Sequence, residues 1–434
     1  MMIRKIRSVI FMVASLVLLL ISGCSKEAPV VIDPDIEWLR NEIIPISSPD
    51  PSLDEASFDQ IIDKIGDPQI VALGEGSHGT REFWQLRQKL THYLVEKKGF
   101  GAILMEASFP GSFPLHDYIA TGTGTETDAH KKLGTWKYLE MQEFIRWMRQ
   151  YNIDHPGGPV LHFYGYDTAF NDWTEAIALI LAYLEEVDPE QVDDINTRLQ
   201  LHTKDEAVYV RDLFAQNEAL YVSLSSAEEY NVIFRIASNL ISSVVIWDRL
   251  RLDQPTLEYR DSVNIQNVNC IMDNLLDGQK VIVWAHNGHI RSGPWYDVDS
   301  KATTLGLRLR EQFGNAYYPI GTEFYGGRFR AWNICPGATY EFGVQEVAAP
   351  PGDSYTYMFR QAEEPFYYLD IRHIDYSDEG AAWIAGPARI RAIGASYCMA
   401  YDQYFYDTIS LPEFFDGLMF VQTSTPITPV LLIK

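Results

Sequence analysis

Apolar residues fall along the chain in two kinds of pattern. Short, nearly unbroken apolar runs occupy 69–74, 101–106 (Gly-Ala-Ile-Leu-Met-Glu), 160–165 and 280–285 (Lys-Val-Ile-Val-Trp-Ala). A run that is apolar at successive positions predicts a strand covered on both faces, as in a parallel sheet. Elsewhere apolar residues recur with helical spacing, as at Phe83, Leu86, Leu90 and Leu94 after the first run. From 171 to 278 the strand signal is absent. Ile233, Ile236, Leu240, Val244 and Trp247 keep helical spacing there, so the stretch reads as a helical insertion. Strand-like runs return after 315 in "YYPIGTEFY", "FYYLDIR" and "GLMFVQTS". The pattern predicts an α/β fold: a mainly parallel sheet flanked by helices, with a large helical insertion. Its parts are a first core segment (55–170), the insertion (171–278) and a second core segment (279–434).

The first residues have a different character. "MMIRKIRSVIFMVASLVLLLISGCS" has a basic start, an apolar stretch from Val9 to Ile21 and then small residues. That is the layout of a secretion signal, and the apolar stretch is shorter than the roughly 20 residues needed to span a bilayer. Leu20-Ile21-Ser22-Gly23-Cys24 resembles a bacterial lipobox, which implies a signal peptide over 1–23 and lipidation of Cys24. Ser25 points to the outer-membrane sorting type. Residues 24–54, rich in Pro, Ser and acidic groups, read as a tether to the membrane.

With 35 basic against 59 acidic residues the formal charge is −24, so no cationic face invites a nucleic acid. The other cysteines, Cys270, Cys335 and Cys398, form no C-x-x-C pair. They read as small buried hydrophobes rather than as a metal site or a disulfide.

The strand-like runs end in chemically able residues. The first ends in Glu75, with His78 close behind, and the second in Glu106. The third ends in Gly165-Tyr166-Asp167, and the fourth leads into His286-Asn287-Gly288-His289. In a parallel sheet these ends share one edge, where ligand clefts form.

Gly74-Glu75-Gly76-Ser77-His78-Gly79 spells G-x-G-x-x-G, yet Glu75 would set a carboxylate against a pyrophosphate, and a nucleotide leaves His286 and His289 idle. The glycines read instead as serving the turn. Ser77 is no nucleophile elbow, because position 75 is glutamate; it reads as a turn residue or helix cap. A Glu-x-x-His turn suits a histidine that takes a proton from water, with the helix start and Arg87 at hand for an oxyanion. The same residue types suit a transition metal, and His286 with His289 suit haem iron. A metal- or haem-binding envelope lipoprotein is therefore the alternative to an enzyme. The absence of H-E-x-x-H and the nearness of Arg87 favour a site with neither metal nor cofactor.

Six ordered blocks, "IVALGEGSHGTREFWQLRQKLTHYLVEKKGFGAILMEASF", "KYLEMQEFIRWMRQYN", "FYGYDT", "YRDSVNIQNV", "VIVWAHNGHI" and "GTEFYGGRFRA", resemble the erythromycin esterase family over about 55–430. The resemblance implies an α/β hydrolase of a small-molecule ester or macrolactone. It implies His78 as general base, Glu75 and Glu106 as the family's glutamates, Arg87 as its arginine, and His286 and His289 as its histidine pair. On this reading one of the pair protonates the leaving alkoxide, Glu106 keeps a histidine oriented, and Asp167 binds substrate at the margin. The chain departs from the family at Asn264-Ile265 and His116.

Overall fold

The computed structural model describes residues 33–430 apart from 133, 135, 253, 254, 298 and 299. Cys24 and the signal-like segment lie outside the described residues. In spatial order the main sheet runs Ile43–Pro45, Phe366–Asp370, Gly417–Ser424, Tyr317–Asn333, Ile70–Glu75, Lys280–His286, Phe100–Ser108 and His162–Asp167. The last six of these strands pair in parallel and the first two enter antiparallel, while Phe342–Glu346 adds antiparallel to the far end of Tyr317–Asn333. The expected apolar runs are thus central strands. Ile70–Glu75 is buried at every position, as the unbroken apolar run requires.

Each face of the sheet carries its own core. One is built with the helices Arg81–Lys98 and Leu139–Asp154, around Phe83, Leu86, Leu90, Met141 and Trp284. The other takes in Ile180, Phe214, Tyr221, Ile236 and Leu240 from the helices between 173 and 251. The stretch between His162–Asp167 and Lys280–His286 is helical, ending in Leu257–Leu275, which packs against the strand His162–Asp167. That last helix brings its first turns to the carboxyl end of the sheet.

Two expectations change. The body starts before residue 55: Asp33 caps the helix Pro34–Glu42, whose Trp38 and Leu39 are buried, and Ile43–Pro45 is an edge strand. Proline and acidic residues here serve capping, not a free tether. Cys335 and Cys398 are joined in a disulfide, and only Cys270 is free among the described residues. Their separation of 63 residues carries no sequence signal. The pair meets because Ser396–Tyr397 lies parallel to Trp332 and Asn333 at the far end of the long strand.

Reducing the disulfide, or Cys335→Ser, is expected to cost about 2–5 kcal/mol, as for removal of other long-loop bridges. Urea unfolding with and without reductant checks this; equal midpoints would contradict it.

Candidate active site

Parallel register puts the chemistry together. Glu75 pairs with His286 across neighbouring strands, and Glu106 follows Met105, which pairs with Trp284. Asp167 pairs with Ser108 one strand further on. Glu75, Glu106 and Asp167 are thereby withdrawn from water together, and each has charged partners.

The first group centres on Glu75. Its Oε1 lies 2.7 Å from His78 Nδ1, and its Oε2 accepts a bond from Arg87 at 2.6 Å. With Nδ1–H facing the carboxylate, the His78 Nε2 is the basic nitrogen. The His78 ring stands edge-on to Trp136, 5.1 Å between centroids, and 5.4 Å from the His286 ring. His286 Nδ1 accepts the Gly288 backbone N–H at 3.1 Å, so its Nε2 carries the proton. Burial and the neighbouring His78 push the His286 pKa well below the ordinary histidine value. This ring is held neutral. Arg87, buried between Trp84 and Trp284, gives an amino group to Glu75. Its contact in this structure is with Glu75, where the sequence reading had set it at an oxyanion.

The second group centres on Arg260, in the first turn of Leu257–Leu275. Its Nε lies 3.1 Å from both Asp167 oxygens, and one amino group reaches Glu106 Oε1 at 2.7 Å. Asp167 also accepts the Ala169 N–H, so this fully buried carboxylate is taken up by the protein and is not open to a substrate. The other Glu106 oxygen accepts the His286 backbone N–H at 3.0 Å. Burial works against the Glu106 carboxylate, but His289, Arg260 and His78 outweigh it and hold its pKa far below the usual range. His289 Nδ1 lies 2.8 Å from Asp261, and its Nε2 takes a hydrogen bond from an Arg260 amino group at 3.4 Å, with Glu106 Oε1 at the same distance. With both nitrogens engaged, His289 is not presented to a haem iron. Among the described residues no group of three or more His, Cys, Asp or Glu could hold a metal ion.

All six expected residues, Glu75, His78, Arg87, Glu106, His286 and His289, meet here. Arg260, Asp261 and Trp136 escaped the sequence reading. Arg260 and Asp261 stand inside the quoted block "YRDSVNIQNV", where an Arg-Asp pair opening an apolar helix was the available signal. The glycine string has a packing explanation. A Cβ on Gly74 would lie 2.2 Å from the Asn287 side chain, and one on Gly79 would lie 1.9 Å from the Arg330 carbonyl. None of Gly74, Gly76 and Gly79 has positive φ, so close approach and not turn conformation demands them.

A small pocket lined by Trp295, Arg291, Arg391, Phe415 and Gly288 opens beside His286. The roomier groove between Tyr93, Phe144 and Trp147, about 680 Å³, contains none of the acid–histidine set. The chemistry belongs to the sheet edge.

The α/β sheet brings its acids and histidines together at the carboxyl edge. The erythromycin esterase family model matches residues 95–424, and the chain belongs to that family. Erythromycin esterase type II of Escherichia coli is 25% identical over 349 residues, covering 71% of this chain and 81% of that protein. A crystal structure of a Bacillus cereus protein aligns with TM-score 0.78 and 22% identity, over 92% of this chain and all of that one. A mutant erythromycin esterase, EreC, in its open conformation aligns with TM-score 0.67 and 17% identity, over 88% and 97%. Family membership makes the chain a hydrolase of the esterase type.

Arg260→Met, which leaves Glu106 and Asp167 facing each other unneutralised, is expected to cost about 3–5 kcal/mol. Adding Asp167→Asn should restore part of that loss. Denaturant unfolding of both variants checks it, and a double variant as unstable as the single one would contradict the pairing.

Proposed function

We propose that this protein hydrolyses an ester or macrolactone by direct attack of a water that His78 deprotonates. The observation that carries the reading is the contact between His78 Nδ1 and the buried Glu75, with the neutral His286 ring 5.4 Å away. Glu75, fixed by Arg87, holds the His78 tautomer and steadies the cation that forms when Nε2 takes a proton from water. The water oxygen bonds to the carbonyl carbon, and the carbonyl electron pair moves onto its oxygen. His286 Nε2–H donates a hydrogen bond to that oxyanion. When the C=O bond re-forms, the bond to the alkoxy oxygen breaks and the His78 proton passes to it. The products are a carboxylic acid and an alcohol, and His78 is regenerated. In this scheme His78 does the protonation expected of the histidine pair, because His289 is turned to Asp261 and Glu106.

For substrate, the reading follows the relatives named for erythromycin: a macrolactone first, so that turnover inactivates the antibiotic. The protein is read as exported, with the mature chain starting at a lipidated Cys24 on the outer membrane. A structural disulfide supports export to an oxidising compartment.

Mass spectrometry of macrolides and a lactone panel should show the gain of one water with the wild-type protein. His78→Ala should slow this by about 10²–10⁴-fold. Hydrolysis at equal rates by both proteins would remove His78 from the mechanism, and no hydrolysis by either would remove the substrate class. In a bacterial host, labelled fatty acid should enter the full chain and not Cys24→Ser; equal labelling would refute the anchor.

A further inference from the structure

The groove of about 680 Å³ on the sheet face away from the helical insertion takes no part in the scheme above. Two helices wall it. Gln85, Gln88, His92 and Glu96 recur at three- and four-residue spacing along Arg81–Lys98, so they share one side of that helix. Glu143, Phe144 and Trp147 face them from Leu139–Asp154, and the segment from Asp50 to Asp54 closes the third side. Asp54, Glu96 and Glu143 are exposed and Asp50 half-buried, which makes a rim of four carboxylates. No lysine or arginine lines the groove, and the nearby Lys89 and Lys97 are taken by Glu55 and Asp59.

An acidic rim alone is an ordinary solvated surface. The floor is different. Gln88 is 2% exposed; its Nε2–H goes to the Glu140 carbonyl, and its Oε1 receives no hydrogen bond among the described residues. One turn further on, His92 lies flat against Trp147, with 3.8 Å between ring centroids. Pro51 has no N–H and meets this ring with its carbonyl, while the His92 Nε2 is buried without a partner. The ring proton therefore sits on Nδ1, and Nε2 is a bare acceptor. Burial lowers the His92 pKa to about 4, so the ring is neutral at pH 7. A buried acceptor without a donor is costly, and here two of them, one helical turn apart, line the same space.

We propose that this groove is a binding site for an organic ammonium ion, its N–H groups received by Gln88 Oε1 and His92 Nε2 and its carbon frame resting on the aromatic wall. The rim carboxylates supply the opposite charge, and Tyr93, Phe144 and Trp147 supply apolar and cation–π contact. Burial and the neighbouring Glu140 and Asp50 raise the Glu143 pKa, a sign of negative charge that the protein leaves uncompensated. An anion would find no cationic side chain on the lining. A divalent metal would find no group of three ligating residues among the described residues. The site shares no residue with the acid–histidine set, so the inference does not rest on the hydrolytic reading.

Equilibrium dialysis of the full protein against benzylamine, an ammonium ion at pH 7, tests this, with benzyl alcohol as the neutral counterpart and benzoate as the anion. Benzylamine should be retained about tenfold more tightly than benzyl alcohol, and benzoate not at all. His92→Phe keeps an aromatic ring on Trp147 and deletes the acceptor; it should weaken benzylamine binding by about fivefold. The double variant Glu96→Gln, Glu143→Gln changes only exposed side chains and should weaken it by about two- to thirtyfold. Equal retention of benzylamine and benzyl alcohol, retention unchanged in both variants, or no retention of benzylamine overturns the proposal. Each of these outcomes is read without any ester being turned over, so the hydrolytic reading stands or falls separately.

Discussion

Everything at the sheet edge depends on one electrostatic constraint: four carboxylates from distant parts of the chain are taken out of water at one sheet edge. Glu75, Glu106, Asp167 and Asp261 are all buried. Isolated burial of any of them would cost several kcal/mol or force it to take up a proton. The protein instead supplies Arg87 to Glu75 and Arg260 to Glu106 and Asp167, while Asp261 is held by His289 Nδ1 and the Leu305 backbone N–H. The compensating groups come from three different helices, so the site exists only when both faces of the sheet are covered. This also explains why Arg87 lies between two tryptophans. Its task is to hold a carboxylate still, and the aromatic faces steady the guanidinium while excluding water.

The sheet and the strand-end residues were legible because they leave local marks. A parallel strand buried on both faces has to be apolar throughout, and a polar residue closing such a run stands out. Glu75, Glu106, Asp167 and His286 could therefore be found by position, and Arg87 by its place in the helix that follows the Glu-x-x-His turn. Arg260 and Asp261 left no such mark. A charged pair at the start of a helix is usually a solvated end, and nothing in local sequence tells that both face inward, Arg260 toward acids 93 and 154 residues away in the chain and Asp261 toward His289. The roles within the set were also hidden. Which nitrogen of a histidine is free depends on a backbone N–H, as with Gly288 and His286, and that is a fact of three dimensions.

The glycine string and the disulfide show the same limit from opposite sides. The charge of "GEGSHG" reads against a nucleotide site, but the glycines do not serve the turn as the sequence suggested: they make room for Asn287 and for the Arg330 backbone. The cysteines looked inert because no spacing rule joins residues 63 apart, yet parallel pairing at the end of the long strand brings them together. The bridge holds a segment that bears on the site. Gly394, four residues before Cys398, accepts the His78 backbone N–H at 3.2 Å. An irregular loop is thereby fastened next to the histidine on which the mechanism turns.

The central claim is that water, activated by His78, attacks the substrate directly without a covalent intermediate. Rapid-quench mass spectrometry of the intact protein during a single turnover, with enzyme in excess over a lactone or ester, tests it most directly. The account predicts no acylated protein at any time and acid and alcohol groups appearing together. A protein heavier by the acyl group, or alcohol released in a burst ahead of the acid, would contradict it.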